Sequence, residues 1–179
     1  MSGAAATAHP GMYVPPARGT RESTMLNIGF FAMVIGMFMA ILDIQVVASS
    51  IAEIQAGVSA SADEVAWIQT SYLIAEVIGI PLSGLLIRAL SMRRLFVFSA
   101  IGFTISSTFC ALAWDLSSLI VFRCIQGFLG AAMIPTTMAA AFTLFGPNRS
   151  MGQQVAIGMV ATLAPSIGPT LGGWITEHT

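Results

Sequence analysis

Charged residues are scarce in this sequence. Only 8% of its 179 residues are charged, lysine is absent, and the net charge is −1, whereas soluble domains carry about 25% charged residues. Nucleic-acid-binding proteins display clustered basic residues, so this composition excludes nucleic acid as a partner. With 56% hydrophobic residues, the chain is composed for a lipid environment rather than for water.

Residues that build metal sites and nucleophilic active sites are also rare. The two cysteines, Cys110 and Cys124, lie in apolar segments, and the two histidines, His9 and His178, lie at opposite ends of the chain. We interpret the cysteines as small hydrophobic residues, and the sequence has no metal-ligand spacing. Since no histidine stands near the serines and threonines to activate them, we predict no enzyme activity, no metal and no cofactor.

Long apolar runs fill most of the chain. A helix that crosses a bilayer needs about 20 apolar residues, and five segments reach that length, near residues 26–49, 66–88, 95–114, 117–144 and 153–175. Residues 1–24 begin with a proline-rich stretch that cannot bury enough apolar surface to fold. The sequence therefore predicts an all-α membrane protein, with a disordered tail at 1–24 and a transmembrane domain of five lipid-embedded helices at 25–179.

The arginines indicate how these helices are oriented. Six of the seven lie in the tail or in the loops after the second and fourth segments, and the alternate loops contain acidic residues without arginine. Those six are Arg18, Arg21, Arg88, Arg93, Arg94 and Arg149. Because basic loops stay on the cytoplasmic side, we expect the N-terminus inside and residue 179 outside.

Three ionisable residues remain within the apolar segments, namely Asp43, Glu76 and Arg123. At a helix rise of 1.5 Å per residue, Asp43 and Arg123 both lie about 10 Å below the outer edge of the membrane. This equal depth allows an ion pair, which is how charged groups in lipid are usually tolerated. Glu76 lies close to the midplane, where a carboxylate without a fixed partner favours its neutral form.

Two interpretations of these three residues stay open. In the first, Asp43 and Arg123 only hold helices together, and Glu76 is a protonated carboxyl group bonded to a neighbouring helix. In the second, Asp43 releases a proton when Arg123 approaches and regains it when Arg123 moves away or substrate competes. Glu76 is then a second protonation site or an anchor for a cationic substrate. Ionisable residues inside a membrane are usually functional, which favours the second interpretation.

Residues 164–173 are a glycine- and proline-rich part of the fifth segment. Gly168 and Gly172 are small residues four positions apart, a spacing that lets another helix approach closely. Pro165 and Pro169 each remove a backbone donor and bend the helix. The sequence therefore predicts a close helix contact at this point.

Three stretches carry a family resemblance. Residues 42–47 read Leu-Asp-Ile-Gln-Val-Val, residues 119–132 contain Arg-Cys-Ile-Gln-Gly ahead of small residues, and residues 164–173 end in Gly-Pro-Thr-Leu-Gly-Gly. In this order they resemble the first-, fourth- and fifth-span motifs of the major facilitator superfamily, and within it the fourteen-span drug:proton antiporters of the EmrB/QacA type. Residues 67–72 and 80–84 are similar to the second span of the same group.

The resemblance implies a proton-coupled multidrug efflux protein of the bacterial inner membrane, which exports small amphipathic or cationic compounds by alternating access. The residues implied in proton coupling are Asp43, Arg123 and Glu76. Those implied to line the substrate cavity are Gln126, Glu76, Tyr72 and Phe38. Those of the implied antiporter motif are Pro165, Gly168, Pro169, Gly172 and Gly173. Some relatives of this type work with a periplasmic adaptor subunit, and the residues leave open whether this chain does.

Two loops depart from the family pattern. The superfamily's loop after the second span usually reads Gly-x-Leu-x-Asp-x-x-Gly-Arg-Arg. Here Arg88 occupies the aspartate position and Ser91 the glycine position. The gating salt bridge attributed to that aspartate therefore does not carry over. Residues 48–53 also lack the closing Asn-x-Ala-x-Pro of the first-span motif, so we expect a different turn there.

The number of segments departs from the family as well. Such transporters are built from six-span halves, each made of two inverted three-span repeats, and five segments form an incomplete N-terminal half. We therefore expect a fragment of a longer transporter whose C-terminal half is missing. The alternative is a truncated, non-transporting membrane protein that associates with, or interferes with, a full-length transporter.

Overall fold

The computed structural model describes residues 19–58, 60–145 and 151–178. The predicted tail up to residue 18 and the loop arginine Arg149 lie outside these described residues. Within the described ranges the chain forms seven helices and no strand. They are α1 (Arg21–Ser49), α2 (Ile51–Val58), α3 (Ala62–Leu90), α4 (Met92–Ala111), α5 (Leu116–Gly130), α6 (Met133–Phe145) and α7 (Met151–His178).

Five helical stretches are long and apolar enough to cross a membrane, which confirms the predicted all-α membrane fold. The helices α1, α3, α4 and α7 each supply one stretch, and α5 and α6 together supply the fourth in chain order. Large apolar side chains such as Ile35, Val77, Phe98 and Val121 are exposed on the outside of the bundle. Lipid tails are as apolar as these side chains and can cover them without cost.

Helix α1 begins earlier than the apolar run predicts. Thr20 is its N-cap, and the Thr20 hydroxyl accepts a hydrogen bond from the Ser23 N–H over 3.2 Å. Such a cap satisfies one of the N–H groups that a helix start leaves without a partner. The helix therefore extends four residues into the predicted tail, and residues 21–24 are helical rather than disordered.

The loop predicted after the first segment contains the short helix α2. Ser50 separates it from α1, and the Ser50 N–H still bonds to carbonyl oxygens of α1. Ile51 and Ile54 of α2 pack against a buried cluster that includes Val65 and Leu119. Apolar residues three apart share one face of a helix, and burial of that face against α3 and α5 explains why the segment is helical.

The fourth span is interrupted near its middle. Helix α5 ends at Gly130, Ala131 and Ala132 form a turn, and α6 begins at Met133. Pro135 has no N–H, so the Ala131 carbonyl loses the donor that an unbroken helix would supply four residues later. Gly130, Ala131, Ala132 and Met133 are buried, which places the interruption inside the bundle.

In the described residues, three apolar clusters arranged along α1 form the core. One joins α1 to α6 and α7, and it contains Phe30 and Phe145, whose ring centroids lie 5.3 Å apart in an edge-to-face arrangement. The second joins α1 to α3, α4 and α6 and includes Ala40. The third joins α1 to α3 and α5 and includes Val47. Asp43 lies on α1 between these last two clusters, about one turn from Ala40 and from Val47.

Helices α3 and α5 make the most extensive helix contact in the described part of the chain. Gly127 permits it, because an added Cβ there would overlap the backbone carbonyl oxygen of Tyr72. Two turns along α3, an added Cβ on Gly79 would lie 2.6 Å from the Ala131 Cβ. Small residues let helix backbones approach closely in a membrane, and here they fix the position of α5 against α3.

Candidate functional site

Asp43 of α1 and Arg123 of α5 form an ion pair inside the bundle. Arg123 Nη1 donates to Asp43 Oδ2 over 2.6 Å, and the Arg123 and Asp43 side chains are 9% and 18% exposed. The sequence predicts an equal membrane depth for the two residues, which allows an ion pair, and the structure contains that pair. Either charge alone would be costly at this depth, so pairing is what permits both to be buried.

Gln126 completes the contacts of the carboxylate. Gln126 Nε2 donates to Asp43 Oδ1 over 3.2 Å, and the Gln126 side chain is fully buried. Arg123 and Gln126 are three residues apart on α5, and residues at this spacing lie on one face of a helix. Both oxygens of Asp43 therefore accept a hydrogen bond from the same helix.

The start of α5 sets the depth of Arg123. Asp115 is the N-cap, and its carboxylate accepts a hydrogen bond from the Ser118 N–H over 2.8 Å, in a reciprocal capping arrangement. Arg123 consequently lies two turns inside the helix, about 10 Å from its start. Hydrogen bonding to Ser118, through its side chain and its backbone, lowers the pKa of the Asp115 carboxyl group, so the cap is charged at neutral pH.

Glu76 is the other carboxylate inside a membrane-spanning helix. It lies on α3 and is half-buried. Among the described residues, no side chain or backbone group forms a hydrogen bond or an ion pair with it. Tyr72, one turn earlier on the same helix, is an electrostatic neighbour of Glu76. The structure therefore keeps Glu76 separate from the Asp43–Arg123 pair.

The two aromatic residues predicted to line a cavity differ in burial. Tyr72 is 1% exposed, and it lies in an apolar cluster with Phe96 and Met133. Its buried hydroxyl has no hydrogen-bond partner in the described part of the chain. Phe38 of α1 is half-buried. In this conformation the Tyr72 ring is a core side chain, and Phe38 is the more accessible of the two.

Gly168 and Gly172 bring α7 against α1. An added Cβ on Gly168 would overlap the Gln45 side chain, and one on Gly172 would overlap the Ser49 side chain. The predicted close helix contact is confirmed at both positions. Gln45 is two residues from Asp43, a rotation of about 200° around an α-helix. Helix α1 therefore presents its carboxylate to α5 and the opposite side to α7.

The other members of the glycine-proline motif are placed differently. An added Cβ on Gly173 would meet nothing within 4 Å, so Gly173 does not share in the close approach of α7 to α1. Pro165 is half-buried and Pro169 is exposed. Helix α7 continues through both prolines without interruption.

Sequence reasoning does not identify two of the contacts at this site. The bond from Gln126 to Asp43 has a local signal, because Gln126 follows Arg123 at a same-face spacing. The second contact has none. Cys110, interpreted from the sequence as a small hydrophobic residue, donates its thiol to Gln126 Oε1 over 3.6 Å. Which side of α4 faces α5 depends on tertiary packing, and the other cysteine, Cys124, is exposed.

Comparison with known proteins identifies the family. The profile of the Major Facilitator Superfamily matches residues 33–179. The chain belongs to this superfamily. Among curated proteins, it is 59% identical over 150 residues to the colistin resistance protein EmrB of Acinetobacter baumannii, an alignment that covers 83% of this chain.

Two further relatives extend the comparison. The chain is 31% identical over 157 residues to the multidrug export protein EmrB of Escherichia coli, which covers 88% of the chain. It is 31% identical over 168 residues to the fatty acid resistance protein FarB of Neisseria gonorrhoeae, which covers 93% of the chain. The alignments cover only 29%, 31% and 32% of the A. baumannii, E. coli and N. gonorrhoeae proteins. The chain thus spans about three tenths of the length of these relatives.

Membership of this superfamily fixes the general class of the protein. Its members are transporters rather than enzymes, and two of the relatives named above are EmrB proteins. Together with five apolar helices of membrane-spanning length, this makes the chain an EmrB-like, multi-pass protein of the inner membrane.

Proposed function

We propose that this chain is part of a proton-coupled multidrug transporter that exports small amphipathic or cationic compounds by alternating access. The observation that carries the proposal is the buried Asp43–Arg123 ion pair. Ionisable groups in a membrane mark proton relays and substrate paths. The names of the relatives, which refer to colistin resistance, multidrug export and fatty acid resistance, support export of amphipathic compounds.

Asp43 and Arg123 are the proposed coupling pair. In the described conformation Arg123 balances the charge of Asp43. A proton that binds Asp43 removes that attraction and releases Arg123, so α1 and α5 are no longer held together at this point. When Arg123 returns, Asp43 loses the proton again. Protons that enter from the acidic outside would in this way drive substrate outward.

Glu76 is proposed as a second protonation site or as an anchor for a cationic substrate. It is half-buried and has no ion-pair partner among the described residues, which leaves its carboxylate available to either ligand. Gln126, Phe38 and Tyr72 are the other proposed cavity residues. Gln126 contacts Asp43 directly, whereas Tyr72 would have to leave its core position to reach a substrate.

Helix α1 is the proposed link between the coupling pair and the antiporter motif. Its Asp43 faces α5, while Gln45 and Ser49 on the opposite side lie against Gly168 and Gly172 of α7. A movement of α1 that follows protonation of Asp43 would therefore change the α1–α7 contact directly. Pro165, Pro169 and Gly173 complete the proposed motif on α7.

The proposed orientation places the N-terminus in the cytoplasm and residue 179 outside. It follows from the positions of the arginines. Single cysteines at Ser61 and Ser91, in a chain without native cysteines, would test it with a membrane-impermeant thiol reagent applied to intact cells. We expect labelling at position 61 and none at position 91, and the reverse pattern would contradict the orientation.

The transport proposal can be tested in a chimera, in which this chain replaces the 150 matching residues of the A. baumannii relative. The chimera should expel a fluorescent lipophilic cation from cells, and an agent that collapses the proton gradient should stop that efflux. The rest of the transporter, lipid, protons and substrate are the proposed partners. Repeating the assay with and without a periplasmic adaptor subunit tests whether such a subunit is also a partner.

Two results would contradict the proposal. Efflux that continues after the proton gradient is collapsed would exclude proton coupling. A chimera that inserts but does not transport, combined with a chain that lowers the efflux of the intact relative when both are produced together, would favour the non-transporting alternative.

A further inference from the structure

A thiol on α4 is connected to the buried carboxylate through one side chain. Cys110 Sγ donates to Gln126 Oε1 over 3.6 Å, and Gln126 Nε2 donates to Asp43 Oδ1 over 3.2 Å. Cys110 is half-buried and Gln126 is fully buried. The contact therefore links three helices, α4, α5 and α1, through two consecutive hydrogen bonds.

The orientation of the Gln126 amide follows from this arrangement. A charged Asp43 can only accept hydrogen bonds, so the amide must turn its NH₂ group towards Asp43 and its oxygen away. In the described part of the chain, the donor that reaches this oxygen is the Cys110 thiol. A thiol is a weak donor, yet a buried amide oxygen without any donor would be costly.

We propose that Cys110 is a positioning residue for the coupling site, which keeps the nitrogen of Gln126 directed at Asp43 by holding the oxygen of the same amide. This inference rests on the proposed function of Asp43. When Asp43 binds a proton it becomes a hydrogen-bond donor, and the amide of Gln126 can turn so that its oxygen accepts from Asp43. The Cys110 thiol then loses its acceptor, and its S–H group changes from bonded to free.

The charged and titratable groups around this link are few. Arg123 of α5 and Asp43 of α1 form the ion pair, and Tyr72 and Glu76 lie on α3. Helix α7, which packs on the other side of α1, has no acidic or basic residue from Met151 to Trp174. A change in the state of the thiol is therefore expected to report on Asp43 rather than on a group of α7.

The S–H stretching band in the infrared spectrum tests the hydrogen bond in the full chain, reconstituted in lipid. With Cys124→Ala, Cys110 is the remaining thiol, and we expect a band at the position of a hydrogen-bonded S–H. Gln126→Met keeps the length of the side chain and removes the amide, so the band should move to the position of a free thiol. A Cys110 band that does not move would overturn the proposal.

Two further samples make this result specific. In a Cys110→Ala chain the remaining thiol is the exposed Cys124, and Gln126→Met should leave its band in place. A Cys124 band that moves as well would show a general loss of structure rather than a broken bond, and would overturn the assignment. In the Cys124→Ala chain with Gln126 intact, acidification that protonates Asp43 should move the Cys110 band in the same direction as Gln126→Met does.

The positioning role is tested in the chimera by the pH dependence of efflux. With Cys110→Ala, the Gln126 amide is held less firmly, and its hydrogen bond to the charged form of Asp43 is weaker. The acidic limb of the efflux profile should therefore move to higher pH. We expect a shift of about half a pH unit, equivalent to about a threefold change in proton affinity. Cys110→Ser restores a donor and should restore the profile, and Cys124→Ala should leave it unchanged.

A profile unchanged by Cys110→Ala would overturn the positioning role, even where the infrared band confirms the hydrogen bond. An unmutated chimera that does not transport would contradict the proposed function instead. The infrared measurements on the chain itself would then decide the role of Cys110 in orienting Gln126.

Discussion

Asp43 and Glu76 are both carboxylates inside membrane-spanning helices, but they differ in their hydrogen-bond and ion-pair partners. Asp43 accepts hydrogen bonds from Arg123 and Gln126 on its two oxygens. Glu76, half-buried on α3, has no such partner among the described residues. A proton that binds Asp43 must compete with an arginine, whereas a ligand that binds Glu76 competes with nothing that the described structure supplies. The difference supports the proposal that Asp43 is the coupling carboxylate and leaves Glu76 as the proposed second protonation site or substrate anchor.

The difference arises from the helices that carry the two residues. Asp43 projects from α1 towards the face of α5 that bears Arg123 and Gln126, and α5 is held in place by its glycine contact with α3. The proposed coupling site thus depends on α1 keeping its position against α5. The following substitutions test that dependence, first at Asp43 and then at increasing distance from it.

Asp43→Asn should have the largest effect. The asparagine keeps the shape of the side chain and cannot exchange a proton, so proton-driven efflux by the chimera should be abolished while membrane insertion is retained. The measurement is efflux of the fluorescent cation under an imposed proton gradient. Retained efflux with an unchanged pH dependence would remove Asp43 from the mechanism and make the pair structural.

Gly172→Val should have the next largest effect. The new side chain would overlap Ser49 on α1, and overpacking of this kind costs about 1–3 kcal/mol. We expect a lower thermal midpoint in detergent and reduced efflux, because α1 is displaced from α5. Gly158→Val on the same helix is the matched control, since an added Cβ at Gly158 meets nothing within 4 Å. Equal losses for the two variants would exclude the α1–α7 contact as the cause.

Glu76→Gln should have a selective effect. Removal of the charge should reduce efflux of cationic compounds and leave efflux of neutral amphipathic compounds near its original rate, because only the cations use the carboxylate as a counter-ion. The measurement compares one cationic and one neutral fluorescent substrate in the chimera. An equal reduction for both substrates would favour a proton or structural role for Glu76.

Ser91→Gly should have the smallest effect on coupling. Ser91 joins α3 to α4 with φ at +69°, a conformation that favours glycine and costs other residues about 1–3 kcal/mol. We expect a higher thermal midpoint with an unchanged pH profile of efflux. Ser61→Gly is a suitable contrast, since Ser61 has ordinary backbone angles and caps α3, and its loss should lower the midpoint. A lower thermal midpoint for Ser91→Gly would contradict the backbone strain inferred at Ser91.

The parts of this structure that could be predicted from the sequence are those that depend on local composition and helix geometry. Five apolar runs predict the spans, and the helix rise places Asp43 and Arg123 at one depth. The helix α2, the interruption of the fourth span before Pro135, and the contact from Cys110 to Gln126 are not predicted. The interruption has a local signal in Pro135. The other two depend on which helix faces pack together, and that is a property of the whole bundle rather than of any segment.

The most direct test of the coupling pair is the exchange of protons with the solution on substrate binding, measured with a pH indicator in weakly buffered, detergent-solubilised chimera. If substrate binding changes the contact between Asp43 and Arg123, and with it the protonation of Asp43, the unmutated chimera and Glu76→Gln should both exchange protons when a neutral substrate is added, and Asp43→Asn should exchange none. Proton exchange that persists in Asp43→Asn and disappears in Glu76→Gln would contradict the account, and would assign coupling to Glu76.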